Sequence, residues 1–304
     1  MYDHIRVMAG VIVACLPLSA TAQDMAGAVT LGLGSYDSSD GFADFTTRSL
    51  DGRLDLSYGN GLSLGATAAS TRADYDGFDD HASVNSLGLT AGYALTPTWT
   101  AGLFYEYGEF SVDGFGAASV DSVGLFAAYD SALMGLEVFA GQTDGYDIAG
   151  AGVDWSDIGA SLSFPVGSSG QIGAHLVRSH LSLGPDELDM VSAGLGGHYA
   201  FANGLLGFAG VTQASLEEFA GELTTMGVGL GYDLSTTMNL AAVASVELAR
   251  THVDFGTGTY DEDSIRIGLT LPLGRKAAAP LNSVAHSAAT TNRTAITTAL
   301  IAAY

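Results

Sequence analysis

Apolar and polar residues alternate along most of the chain. From Ser264 to Leu271, aliphatic side chains take every odd position, and small or polar residues take the even ones. Thr225 to Tyr232 has the same period of two, with glycine filling most of one face. Such alternation is typical of a β-strand whose two faces meet different surroundings. No segment after the N-terminal one has the roughly 18 consecutive apolar residues that a membrane-spanning helix needs.

An aromatic residue recurs just before a short turn, at intervals of 33 to 36 residues. The series is Tyr58, Tyr93, Tyr129, Phe164, Tyr199 and Tyr232. A glycine lies five residues before each of the last five aromatics. A period near 35 can also indicate a helical repeat or a propeller blade, but each unit here alternates with period two and holds two strands. We therefore interpret each unit as one β-hairpin, with a short turn after the aromatic and a longer acidic connection at the other end.

Fourteen strands follow from this interpretation. They are predicted at 26–36, 46–58, 61–73, 83–95, 98–111, 119–130, 133–143, 153–165, 171–182, 190–201, 204–215, 223–233, 238–251 and 263–273. An even number of alternating strands of about 11 residues is typical of a transmembrane barrel. The predicted fold is therefore all-β: an antiparallel up-and-down transmembrane barrel with short periplasmic turns and longer outer loops. A soluble β-sandwich is the alternative, but it would not be expected to keep so even a hairpin period or to crowd its aromatics at one end.

The chain divides into three parts. Residues 1–22 have the features of a secretory signal peptide: a positive start at Arg6, a short apolar stretch and the cleavage signal Ala20-Thr21-Ala22. The run that ends at Cys15 also resembles a lipoprotein cleavage box. Residues 23–274 form the predicted barrel. Residues 275–304 are basic and rich in Ala and Thr, and we expect either a flexible periplasmic tail or an extra strand or short helix that plugs the lumen.

Charge and cysteine content narrow the class further. Asp and Glu number 33 and Lys and Arg number 10, so the formal net charge is −23. A nucleic-acid-binding protein needs a basic face, so we predict no nucleic-acid partner. The one cysteine lies in the predicted signal peptide. The exported chain would therefore be held by its own packing or by a membrane rather than by disulfides.

The period of two assigns the side chains to two faces. Aliphatic and aromatic residues are predicted to face lipid, with the tyrosines near the short turns forming the periplasmic girdle. The other face carries mainly Gly, Ala, Ser and Thr, which leave space for a modest pore. The charged and histidine residues on this inward face, our candidate pore-lining set, are Asp51, Arg53, Asp55, Glu106, Glu137, Asp157, His175, His198, Asp233, Glu247 and Arg266.

Seven carboxylates against two arginines predict a preference for cations, because lining carboxylates attract cations and repel anions. Alternatively, Arg53 and Arg266 only neutralise neighbouring carboxylates and tie the wall together. His175 and His198 fall on neighbouring strands near Ser179, but such neighbours are common by chance in a serine-rich lumen. Two histidines also fall short of the three or four ligands of a zinc site. We therefore predict no enzymatic activity, no cofactor and no metal site.

The exported, acidic, glycine-rich pattern of strands that end in tyrosine resembles Gram-negative outer-membrane porins, including those of alphaproteobacteria. The resemblance covers residues 23–274 and is one of pattern. It implies location in the outer membrane, contact with its lipids and lipopolysaccharide, insertion by the barrel assembly machinery, and passive diffusion of small hydrophilic solutes. The connection from Val112 to Ala118 is short for the pore-folded loop of general porins, so a monomer and a homotrimer are both compatible. The alternative function is a structural or adhesive barrel with a closed lumen.

Overall fold

The computed structural model describes residues 24–39, 43–77, 81–114, 116–145, 154–183, 186–216, 221–238, 240–256, 258–274 and 279–303. The predicted signal peptide lies outside this part of the chain, as do Arg275, Lys276 and Tyr304. Among the residues described, no helix combines the length and apolar character needed to cross a membrane.

Fourteen strands form one closed antiparallel barrel in which consecutive strands are neighbours. The strands are β1 (Asp24–Ser38), β2 (Phe45–Ser57), β3 (Leu62–Tyr75), β4 (His81–Ala94), β5 (Trp99–Val112), β6 (Gly116–Asp130), β7 (Gly135–Gly145), β8 (Asp154–Val166), β9 (Gly170–Leu183), β10 (Asp186–Ala200), β11 (Leu205–Leu216), β12 (Gly221–Asp233), β13 (Val243–Asp254) and β14 (Thr259–Gly274). Strand β1 also pairs with β14, from Gly27 opposite Leu273 to Ser38 opposite Glu262, and this pairing closes the sheet. The predicted all-β up-and-down barrel is confirmed.

The strand boundaries differ from the predicted ones mainly at the acidic end. Strand β10 begins at Asp186 and β14 at Thr259, four residues earlier than predicted in each case. At the other end, residues 234–236 form a short 3₁₀ turn, which delays the start of β13 to Val243. Strand pairing thus continues into the acidic segments. The connections at the acidic end are therefore shorter than predicted, and the two ends of the barrel differ less in connection length than the sequence suggested.

Two helices follow the last strand. Helix α1 spans Val284–Ala289 and helix α2 spans Ala295–Ala303. Both lie inside the barrel: α1 packs mainly on β10 and β11, whereas α2 contacts β9 to β12 and also β4. We call residues 279–303 the C-terminal segment.

The outward face of the barrel is apolar around its middle, as the period of two predicts. Leu125, Ile158, Val228 and Ile265 have exposed fractions between 53% and 63%. Between them the inward positions of the same strands are buried or partly buried. This is the arrangement of a barrel whose outer surface meets lipid.

The apolar band is bounded differently at its two ends. Toward the acidic connections the outward positions become charged: Arg178 pairs with Asp189 at 2.7 Å, and Arg250 pairs with Asp263 at 2.6 Å. Toward the short turns the exposed residues include a series of aromatics, among them Tyr93, Trp99, Phe164 and Tyr199. Aromatic rings with a polar edge suit the level of lipid headgroups. Both chain ends of the barrel, Asp24 and Gly274, also lie at the aromatic end, which is the periplasmic end in barrels with an even number of strands.

Two inward glycines of the repeat, Gly124 and Gly159, face aromatic rings on the preceding strand. Phe104 is the register partner of Gly124, and Phe139 is the partner of Gly159. A methyl group on Gly124 would lie 2.6 Å from the Phe104 ring, and one on Gly159 would lie 2.3 Å from the Phe139 ring. An aromatic ring that covers a glycine on the neighbouring strand is a known device for fixing register. Glycine at these two positions therefore makes room for the ring opposite it.

We expect the two faces to respond differently to a buried charge. Val228→Arg, at the middle of the outward face of β12, should lower the free energy of unfolding by about 2–4 kcal/mol, because the guanidinium would enter hydrocarbon. Thr67→Arg, on an exposed inward position of β3, should change it little. Urea unfolding of both variants in lipid vesicles measures the difference. Equal losses at the two positions would contradict the assignment of faces.

Candidate functional site in the barrel lumen

The C-terminal segment lies inside the lumen and approaches the barrel wall closely. A methyl group on Gly196 would lie 2.3 Å from the Ala285 carbonyl oxygen, and one on Gly210 would lie 2.7 Å from the Ala285 α-carbon. No side chain fits in that space. Glycine at these two inward positions of β10 and β11 therefore allows helix α1 to rest directly on the sheet.

Two lumen carboxylates accept hydrogen bonds from backbone amides of the segment. Glu247 Oε1 accepts from the Val284 amide at the start of α1, at 3.0 Å. Glu106 Oε2 accepts from the Arg293 amide at 2.8 Å. Both carboxylates are almost fully buried. A carboxylate at the first turn of a helix satisfies an amide that has no partner within the helix.

Arg293 is the main side-chain link between the segment and the wall. Its Nη1 atom lies 2.5 Å from Glu137 Oε1. Its guanidinium lies 4.8 Å from the ring centroids of both Phe104 and Phe139, and 5.8 Å from that of Phe126. Arginine is attracted both to carboxylates and to the faces of aromatic rings. One side chain thus joins strands β5, β6 and β7 to the segment.

Arg266 holds the far end of the segment. Its Nη2 atom donates to the Ala303 carbonyl oxygen at 3.1 Å, and its Nη1 atom lies 3.9 Å from Glu247 Oε2. A cation near the last carbonyls of a helix is favourable. Glu247 therefore contacts the segment near the start of α1, while Arg266 contacts it at the end of α2.

Asp157 and His175 lie on the same side of the lumen as α2. Asp157 accepts hydrogen bonds from Thr143 at 2.6 Å, from the Trp155 indole at 3.1 Å and from the Ser179 hydroxyl. Ser179 in turn accepts from the Ala295 amide at 2.9 Å. His175 Nδ1 lies 3.0 Å from the Ala288 carbonyl oxygen. Asp157 is thus linked to the segment through Ser179, and His175 contacts the segment directly.

The remaining candidates are divided between the lumen and the turns. Asp51, Arg53 and Asp55 lie at inward positions of β2. The Arg53 guanidinium pairs with the Asp55 carboxylate at 2.7 Å. His198 lies at an inward position of β10, near the short turns. Asp233 is also at this end, but its side chain accepts from the Ser235 amide at 2.9 Å and caps the 3₁₀ turn. The structure brings eight of the eleven candidates into contact with the segment or the polar cavity described below, and Asp157 reaches the segment through Ser179.

A cavity lies on each side of the segment. The polar cavity, at the short-turn end, has a volume of about 400 Å³ and is lined by Asp51, Arg53, Asp55, Glu106 and Glu137, with His286 and Arg293 from the segment. The outer cavity, at the acidic end, has a volume of about 500 Å³ and an almost wholly apolar lining. Within the described ranges, no three His, Cys, Asp or Glu side chains come close enough to hold a metal ion.

Sequence reasoning missed the most connected of these residues. Arg293 counted only as part of a basic tail, although an arginine in a segment that follows an acidic barrel could have indicated an ion pair. Trp155 carried no such signal, although its indole donates to the nearby Asp157. Ser179 was noted only as a neighbour of the two histidines, because its contact with Ala295 depends on where the segment lies. The role of Ser179 becomes recognisable only once the segment is placed.

No protein-family model matches the chain, and no curated protein matches its sequence. Solved structures do share its fold. The anion-selective porin from Comamonas acidovorans is 11% identical over 82% of this chain and 99% of its own, with a TM-score of 0.50. The CymD monoaromatic hydrocarbon channel is 12% identical over 86% of this chain and 91% of its own, with a TM-score of 0.51. A FadL homologue from Pseudomonas aeruginosa is 12% identical over 82% of this chain and 90% of its own, also with a TM-score of 0.51. The chain therefore has the barrel fold of outer-membrane porins and channels.

Proposed function

We propose that this protein is an outer-membrane channel whose lumen is closed by its own C-terminal segment. The observation that carries the proposal is the set of non-covalent contacts between lumen carboxylates and the segment. Glu106, Glu137 and Glu247 each contact it, and they do so through hydrogen bonds and one ion pair. Such contacts can be released and remade, so the segment can act as a gate.

Once the segment moves, the exposed lumen is acidic. Its inward carboxylates include Asp51, Asp55, Glu106, Glu137, Asp157 and Glu247, and its inward arginines include Arg53 and Arg266. An excess of carboxylates along a narrow wall favours cations. We therefore propose that the open channel passes small hydrophilic solutes by diffusion and prefers cations. The shared fold with porins and channels supports a channel, and the acidic lumen supports the preference.

The remaining parts of the proposal concern the membrane. The apolar band, its aromatic edge and the resemblance to porins support export by the signal peptide, insertion by the barrel assembly machinery and location in the outer membrane. The outward arginines beyond the band, Arg178 and Arg250, lie at the level where contact with lipopolysaccharide is expected, and each binds an aspartate of the neighbouring strand through paired donors.

Weakening the anchor of the segment should open the channel. Arg293→Gln removes the ion pair with Glu137 and leaves that partly buried carboxylate without its cation. We expect more frequent openings in planar bilayers than in the unchanged protein. Arg250→Gln, which removes an outward ion pair of similar length, is the matched control and should leave the current unchanged.

Removing residues 275–304 should produce a continuously open pore. Its zero-current potential in a KCl gradient should indicate K⁺ over Cl⁻, and the preference should fall as salt rises, because the Debye length shortens from about 8 Å at physiological salt to about 3 Å at 1 M. If neither the full chain nor the shortened one carries current, the protein is a structural barrel and the channel proposal is wrong.

The same shortened chain tests which carboxylates set the preference. Glu106→Gln with Glu137→Gln should reduce K⁺ selectivity, because both side chains line the polar cavity. Glu222→Gln, at an exposed outward position of β12, is the control and should not change it. A preference for Cl⁻ in the shortened chain would contradict the proposed role of the lumen acids.

A further inference from the structure

The outer cavity differs in chemistry from the rest of the lumen. Its walls are inward side chains near the acidic ends of the strands, including Phe110, Val120, Met190, Leu223 and Val253. Its floor is α2, which contributes Ile296 and Leu300. The one indole at its edge, that of Trp155, already donates to Asp157. The cavity is therefore a deep apolar space that faces the outer mouth, whereas a lumen built only for ions and hydrophilic solutes would be polar there.

We propose that the outer cavity is a binding site for a small neutral apolar molecule, such as a cyclic hydrocarbon. Its volume of about 500 Å³ lies within the range of about 300–1,000 Å³ that small-molecule sites have. Apolar surface around a space of this size is poorly hydrated, so an apolar occupant gains free energy by displacing water. A polar solute would find almost no partners for its own hydrogen bonds.

The charges around the cavity argue for a neutral ligand rather than a fatty-acid anion. Among the described residues that border it, the charged ones are Glu109, Glu222 and Asp254, all acidic and all at outward positions of their strands, so no basic side chain there could pair with an anion. A carboxylate needs a cationic or donating partner when it leaves water, and a chain with a net charge of −23 repels anions from its mouth. The site therefore favours a neutral ligand over an anionic amphiphile of similar size.

The position of the ligand places it directly on the segment. Helix α2 forms the floor of the outer cavity, and its Ala295 and Ala299 pack into the buried cluster with Phe104, Phe139 and Met190. A bound molecule would thus contact the same element that closes the lumen. The inference itself does not rest on conduction, because binding can be measured without current.

Tryptophan fluorescence can test the site directly, because the chain has only two tryptophans. Trp99 is 45% exposed on the outward face, and Trp155 is 4% exposed at the edge of the outer cavity. In a Trp99→Phe protein held in lipid nanodiscs, bromocyclohexane should quench Trp155 with a saturable dependence on concentration. The anion 6-bromohexanoate should need a concentration at least about tenfold higher, since its charge must be desolvated.

Two variants show whether the quencher acts in this cavity. Leu223→Asn places an amide in the apolar wall and should weaken binding about tenfold. Leu206→Asn makes the same change on an inward leucine of the adjacent strand that does not border the cavity, and it should leave binding unchanged. Ala118→Phe, at an exposed position of the cavity wall, narrows the space without a polar group and should weaken binding as well. It serves as the test if Leu223→Asn does not fold.

Three results would overturn the proposal. Quenching that rises linearly without saturation would mean partition into lipid only. Equal binding by Leu206→Asn and the cavity variants would place the ligand elsewhere. Tighter binding of 6-bromohexanoate than of bromocyclohexane would refute the neutral class. None of these results bears on whether the shortened chain conducts, so the two proposals fail separately.

Discussion

The hydrogen-bonded closure of the sheet is the constraint on which the rest of this structure depends. In hydrocarbon, an unpaired backbone amide or carbonyl costs several kcal/mol, so a sheet can cross a membrane only without free edges. The twelve register pairs between β1 and β14 remove the last two edges. Closing fourteen strands creates an interior too wide for small inward residues to fill. Everything that distinguishes this barrel follows from how that interior is occupied.

The occupant is the chain itself, and its charge complements that of the wall. Glu106 and Glu247 accept from the segment's amides, Glu137 pairs with Arg293, and Arg266 reaches Ala303. Buried ion pairs add little net stability, because desolvation offsets most of their attraction, but removing one partner leaves an uncompensated charge. The network therefore determines where the segment sits more than how stable the barrel is. The alternative interpretation of Arg266 as a partner for a neighbouring carboxylate agrees with its position beside Glu247.

The segment also separates two environments within one lumen. On the periplasmic side the wall keeps Asp51, Arg53 and Asp55 around a polar cavity. On the outer side the same alternation of faces carries Phe110, Val120 and Leu223 inward instead. An up-and-down barrel permits this difference, because each inward position contacts only nearby positions at the same depth. A polar periplasmic half and an apolar outer half of the lumen can thus be formed by the same continuous strands.

The sequence by itself determined the strands, their number and which residues face inward, because a pleated strand alternates its faces locally and the turn residues mark where each strand ends. The strand boundaries predicted from the sequence were wrong where pairing with a neighbouring strand extended the strand, as at Asp186 and Thr259. The alternation of faces predicted that Asp233 points inward, but its side chain caps the 3₁₀ turn that follows β12. Only the tertiary structure decided what fills the lumen. Arg293 meets Glu106 and Glu137 across separations of 187 and 156 residues, and no local periodicity records which distant side chains meet when a sheet closes around its own C-terminal segment.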